Sequence, residues 1–197
     1  MGRPKTYGER AARDLLEAAE RIVAAEGLDA LSVRRVASAS GTTTRAVYSV
    51  YGSKDGLVVA LGTRAFHLLQ DALEALPTTS DPAADLVEAG ALVFRRFALD
   101  HPALLRIGFL RVDMTPELAC QFRDAADQAL VPFRGRFTRL AESGRLDPRS
   151  VAEAMWAFQA LCEGLAALEL RCEWPSDSAE RIWRNAFGAL VAGWRVA

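Results

Sequence analysis

The feature that most restricts this chain is its helix punctuation. Asp81-Pro82, Thr115-Pro116 and Asp147-Pro148 each place a side-chain acceptor directly before a proline. The first residue accepts a hydrogen bond from an amide that the first turn leaves unpaired, and proline at the first helical position has no amide to leave unpaired. These pairs predict helices of about 18, 25 and 23 residues. His101-Pro102 opens a shorter one, and Ser176 opens a last helix that runs to the C-terminus. Pro132 falls inside the helix begun at Thr115, which it should kink or split. The stretch Leu76 to Ser80, LPTTS, is a clear break. No segment alternates apolar and polar residues over a strand's length, so the fold class is all-α.

Composition narrows the function. With 197 residues the chain makes one large domain or two small ones, and 51% hydrophobic content supplies a packed core. The net charge of -1 carries no global signature of nucleic-acid binding. The charge is uneven, however: residues 1–56 carry +2 and the remainder −3. That sign suits an N-terminal part that meets a polyanion. Cys120, Cys162 and Cys172 lie in helical patterns at no metal-like spacing, and an odd, sparse count fits a reducing cytoplasm. No apolar run approaches the roughly 20 residues that span a bilayer, and MGRPKTYGER has no apolar segment after its charges. His67 and His101 have no His, Cys or carboxylate companions at useful spacing, so neither metal nor cofactor is expected. The chain has no GxSxG elbow, phosphate-binding glycine loop or supported Cys/His pairing, which argues against an enzyme.

The N-terminal segment is more specific. Leu15, Ala19, Ile22 and Val23 form a helical stripe between about Glu9 and Glu26, closed by Gly27. Ser32 is an N-cap for a helix of about two turns, with Leu31 and Val36 placed as a hydrophobic staple. Gly41 supplies the positive φ of a sharp turn. Thr43 then caps a second short helix ending near Tyr51. Two short helices joined by a glycine turn are a helix-turn-helix signature, in which the second helix enters the major groove. On that helix Ala46, Val47 and Val50 share one side, while Thr44, Arg45, Tyr48 and Ser49 share the other. Solvated faces usually carry Glu and Lys; compact hydroxyls, one Arg and one Tyr suit DNA. Arg45 is expected to read a guanine edge. Thr43, Thr44, Tyr48, Ser49, Tyr51 and Ser32 are expected along the DNA, the hydroxyls on phosphate oxygens. Lys54, after the expected cap residue Ser53, adds its charge to a helix N-terminus. Arg34 and Arg35 are each either phosphate contacts or solvent charges. Arg3 and Lys5 extend the basic tail.

The stretch VRRVASASGTTTRAVYSVYGSKDGL resembles the DNA-binding segment of the TetR family of bacterial transcriptional regulators. The resemblance rests on Ala37, Gly41, Tyr48, Tyr51 and Ser53-Lys54-Asp55-Gly56-Leu57, and covers about residues 8–60. Thr42 replaces the usual apolar residue after the glycine, and Tyr51 replaces the commoner Phe. The resemblance implies a homodimer on a partly palindromic operator, acting as a repressor that a small-molecule effector releases. It divides the chain into a DNA-binding domain, 1–56, and an effector-binding and dimerisation domain, 57–197, built as a larger helical bundle. HPALLRIGFLR and MWAFQALCEGLAALEL resemble a C-terminal domain of one subgroup, named for its Trp, His and Gly; here Glu163 precedes Gly164 where the His is expected.

In the second part, Val151, Met155, Phe158, Cys162 and Leu165 form one apolar stripe, and Ala154, Leu161 and Leu168 a second on the same helix. The last helix offers Ile182, Ala186, Phe187, Leu190 and Trp194. These two helices are the expected intersubunit bundle. Phe94, Phe97, Phe109, Met114, Phe122 and Trp156 are candidate linings of an effector pocket, or ordinary core. Glu163 is a pocket acid, an interface residue or a pH-sensitive group.

Overall fold

A computed structural model describes residues 8–109, 116–147, 150–171 and 176–194. No strand occurs among the described residues, so the all-α expectation is met. The chain forms two compact units: residues up to Ala65 with Ala103–Ala125, and Phe66–Pro102 with Ala126–Ala197. Helix α4, Lys54–Ala75, runs unbroken through residue 56.

In the first unit, α1 (Glu9–Glu26) buries Leu15, Ala18, Ala19, Ile22 and Val23, and Gly27 ends it at φ 84°. That positive φ is accessible to glycine without a Cβ clash. A 3-10 turn, Leu28–Ala30, leads to α2 (Val33–Ala39). The Ser32 hydroxyl accepts from the Arg35 amide at 3.3 Å. Leu31 and Val36 are both fully buried, as a hydrophobic staple requires. Gly41 turns the chain at φ 63°. The short α3 (Thr44–Tyr51) follows, with Thr43 Oγ1 accepting from the Ala46 amide. The Arg64 guanidinium, from α4, pairs with Glu20 of α1 at 3.0 Å. Helix α7 (Pro102–Gly108) from Ala103 and helix α8 (Pro116–Ala129) as far as Ala125 complete the elements of this unit. The Phe122 ring lies so close to Gly62 that a Cβ there would stand 2.0 Å from a ring carbon.

In the second unit, α5 (Pro82–Glu88), a π-helical segment Ala89–Phe94 and α6 (Arg95–Asp100) follow one another in helical backbone conformation. Asp81 caps this run, accepting from Ala83 and Ala84. The π segment has no sequence signal that punctuation reveals. At Gly90 the Phe187 ring approaches to within 2.5 Å of where a Cβ would be. Pro132 splits the expected long helix: α8 ends at Ala129 and α9 (Val131–Glu142) restarts after Leu130, which moves the proline into a first turn. Helices α10 (Val151–Arg171) and α11 (Ser176–Gly193) close the unit. The Thr115 and Pro148 capping positions lie outside the described residues.

Aromatic rings fill the second core. Phe158 meets Phe187 at 4.5 Å between centroids, and Phe137 meets Phe133 and Phe158 edge-on at 4.9 and 5.6 Å. Such pairs each add about 0.5–1.5 kcal/mol beyond the area they bury. Of the buried polar groups, Asp85 is fully engaged, whereas Arg136 is bonded through Nη2 and its buried Nη1 has no partner among the described residues. Asp85 accepts from the Thr79 amide and hydroxyl and from Arg139 Nη1 at 2.8 Å. Burial alone would raise its pKa; the bonds from Thr79 and Arg139 outweigh that and hold it below the usual carboxylate range. Arg136 Nη2 donates to the carbonyls of Leu73 and Leu76, at 2.8 and 2.7 Å, and so caps the end of α4. Glu169 receives Arg95 and, at 2.7 Å, Trp183 Nε1.

By length and composition α10 is the one described helix that could cross a bilayer, with mean hydropathy 1.2. It nevertheless carries Glu153, Glu163, Glu169 and Arg171, and Glu169 is bonded within the bundle.

Candidate nucleic-acid interface and effector cavity

Helix α3 is amphipathic in the sense its sequence indicates. Ala46 and Val47 are buried and Val50 half-buried, whereas Thr44, Arg45 and Ser49 are exposed and Tyr48 is 55% exposed. The apolar side fastens the helix to its unit and leaves four groups capable of hydrogen bonding on the outer side. Thr43 is exposed but its hydroxyl is used as the cap of α3, and Ser32, half-buried, likewise caps α2. Both sit at helix N-termini, where unpaired amides attract anions. Arg34 and Lys54 are exposed. Arg35 is instead held by Glu26 through a two-pronged ion pair. That hydrogen bond keeps Glu26 below its ordinary pKa and Arg35 above its own.

The junction of α3 and α4 is tightly built. Gly52 has φ 73°, and its amide donates to the Tyr48 carbonyl. Ser53 Oγ accepts from the Gly56 amide at 2.9 Å and so caps α4. A Cβ on Gly56 would stand 2.0 Å from the Tyr51 carbonyl oxygen. Glycine is required there by backbone contact, which explains its place in the Ser-Lys-Asp-Gly-Leu motif.

Tyr51 departs from expectation. Its hydroxyl donates to the Ala12 carbonyl at 2.7 Å, tying α3 to α1. Burial raises its pKa, and the charge of Arg64 offsets part of the rise. The phenol proton is committed inside the unit, so Tyr51 is a positioning residue rather than a phosphate donor.

The candidate pocket residues are divided between the two units. Phe94 and Phe97 are buried in the second unit, with ring centroids 6.1 Å apart. Phe109 and Phe122 belong to the first unit. Trp156 is 69% exposed on α10, and Met114 lies outside the described residues. The second unit does contain a cavity of about 490 Å³, which Phe97 lines. Its apolar walls include Leu68, Ala72 and Leu76 of the α4 end and Leu92 and Val93 of the π segment. Arg96, Asp100 and His101 are its polar members. Sequence reasoning missed it because its apolar walls are mostly aliphatic, and a buried Leu or Val reads as ordinary core.

The expected interface residues also divide. Phe158, Cys162 and Phe187 are buried within the chain's own core and are unavailable to a partner. Val151, Met155, Ala186, Leu190 and Trp194 are half-buried, and Ile182 is exposed. The inward side of α10 draws on both expected stripes, with Ala154, Phe158, Cys162 and Leu165 buried. The side left open carries Trp156, Ala160, Gly164 and Leu168. Gln159 Nε2 donates to Glu163 at 2.8 Å, so this carboxylate is satisfied on its own helix. No group of three or more potential metal ligands occurs among the described residues.

Two family models match the sequence. The one described as bacterial regulatory proteins, tetR family, covers residues 15–61. The one described as the tetracyclin repressor-like C-terminal domain covers 87–190, in place of the subgroup named for Trp, His and Gly. No curated protein matches the chain. A solved protein of unknown function from Rhodococcus sp. RHA1 is similar over 99% of this chain and 100% of its own, with TM-score 0.81 and 23% identity. A bacterial regulatory protein in the tetR family from Rhodococcus RHA1 covers 96% and 100%, with TM-score 0.72 and 21% identity. A TetR variant from Acinetobacter baumannii AYE, solved in complex with minocycline, covers 93% and 97%, with TM-score 0.64 and 21% identity. Identities this low establish likeness of fold.

Proposed function

The chain belongs to the tetR family of bacterial regulatory proteins, and from that premise we propose that this DNA-binding transcriptional regulator is a repressor, released from its operator by a small molecule. The observation that carries the reading is α3: a helix fixed by Ala46 and Val47, with Thr44, Arg45, Tyr48 and Ser49 turned outward. Arg45 reads a base edge, and Thr44 and Ser49 meet bases or phosphates. Ser32, Thr43, Arg34 and Lys54 sit along the backbone, with helix N-termini adding to the attraction.

The repressor acts as a homodimer on a partly palindromic operator in the cytoplasm. Residues 1–56 form the DNA-binding part and 57–197 the effector-binding and dimerisation part. One short helix-turn-helix offers little contact area, and two-fold pairing joins two weak half-sites into one specific complex. The pairing surface is the open side of α10 and α11. Only 28% of the most apolar stretch of α10 is buried within the chain, and Trp156, Leu168 and Ile182 are 69%, 41% and 38% exposed. Ala160 and Gly164 on that side permit close approach of a second copy. A small-molecule effector is supported by the cavity in the second unit and by the minocycline complex of a relative. Helix α4 begins three residues after α3 ends and is the lever. A full switch from 1:99 to 99:1 requires about 5.5 kcal/mol of differential affinity.

The test is selection of bound sequences from a random DNA pool, with the mass of the complex measured. A palindromic sequence bound by two chains is expected. A protein that stays monomeric, or that binds all duplexes equally weakly at low salt, refutes the proposal.

A further inference from the structure

We propose that the groove between the end of α4 and the π segment binds an uncharged amphiphile: an apolar body carrying one head group that both donates and accepts hydrogen bonds. This rests on the reading above that an effector exists, and adds its location and chemical class.

The groove is a formed site. At about 490 Å³ it lies within the range of small-molecule pockets. One wall is the π segment, where Leu92 and Val93 face it; π turns inside helices occur often at functional sites. That wall is braced from within the core by the Phe187 ring packed on Gly90. Leu92 remains 45% exposed, a large apolar side chain left uncovered at the groove. The opposite wall is Leu68, Ala72 and Leu76, and Arg136 holds the end of that helix by its carbonyls. Both walls are therefore set before a ligand arrives.

The polar end decides the head group. Arg96 and Asp100 lie one helical turn apart, with Nε to Oδ2 at 3.5 Å. Their charges cancel. A carboxylate drawn to Arg96 meets Asp100, and an ammonium drawn to Asp100 meets Arg96. The pair lies at the rim, its side chains 79% and 58% exposed, so an ionic head there meets one like charge for each opposite one, whereas a neutral amide or hydroxyl bonds to both. His101 adds an imidazole at the same end.

The test is an NMR titration of the full chain with octanamide, octanoate and octylammonium, which share one apolar body. Octanamide is expected to bind at least tenfold more tightly than either ion. Its signals should fall on Leu68, Ala72, Leu92 and Val93. Ala72→Phe, which fills the groove, should abolish binding. Leu92→Asn, an exposed position that does not threaten folding, should weaken it about tenfold. Tighter binding of octanoate or octylammonium, or octanamide binding unaffected by both variants, overturns the proposal, as does no binding by any of the three. Operator affinity measured in parallel separates the two claims. Groove binding without any operator binding sinks the regulator reading alone; operator binding with an unresponsive groove sinks this one alone.

Discussion

Replacing Tyr51 by Phe separates a structural role from a DNA-contacting one. The substitution removes a single oxygen and keeps the ring. In the structure it deletes one neutral hydrogen bond, 2.7 Å long and half-buried, between α3 and α1. Ala12 lies inside α1, so its carbonyl keeps an intrahelical amide and is not orphaned. The loss is therefore the net value of one bond, about 0.5–1.5 kcal/mol, without the larger penalty for an unpaired buried group. For a chain of this size that corresponds to a fall in Tm of about 1–6 °C. Had the hydroxyl met a phosphate, the lost bond would be to a charged acceptor, worth about 1.5–3 kcal/mol, or roughly 10- to 150-fold in affinity. Thermal unfolding and operator titration at one fixed salt concentration measure the two effects side by side. The expected result is a lower Tm with operator affinity held within about threefold. An unchanged Tm with affinity reduced tenfold or more refutes the assignment of Tyr51 as a positioning residue.

Other substitutions probe other links. Arg45→Ala should narrow the gap between operator and random DNA by about 1–3 kcal/mol, whereas Lys54→Ala should weaken both alike and reduce the salt slope by about 0.9, both read from titrations at several salt concentrations. Gly56→Ala forces a Cβ against the Tyr51 carbonyl and should cost at least about 1–3 kcal/mol of stability in denaturant melts. Asp85 titrates below its unfolded value in the folded state, so its contribution is present above about pH 4 and is lost as pH falls through the folded pKa. Asp85→Asn should accordingly flatten the acid limb of stability against pH. Leu168→Arg on the open side of α10 should yield monomers in sedimentation without lowering the protomer's helix content.

Local chemistry is what the sequence by itself determined. Caps at Ser32, Thr43 and Asp81, the turn at Gly41 and the restart forced by Pro132 act within a few residues, so one-dimensional spacing carries them. The exposed side of α3 was legible for the same reason: once Ala46 and Val47 point inward, helical periodicity fixes where Thr44, Arg45 and Tyr48 stand.

The tertiary structure decided what depends on neighbours distant in sequence. The two stripes of α10 are both apolar, and periodicity cannot say which of their residues Phe137 and Phe187 will cover; that choice removed Phe158 and Cys162 from the candidate interface. The same holds for the Tyr51 hydroxyl, whose acceptor lies 39 residues away. Phe122 joined the first unit because Gly62 admits its ring, and the groove took shape where a π turn set Leu92 and Val93 opposite the end of α4. Periodicity reports how apolar a surface is; only long-range packing selects what it touches.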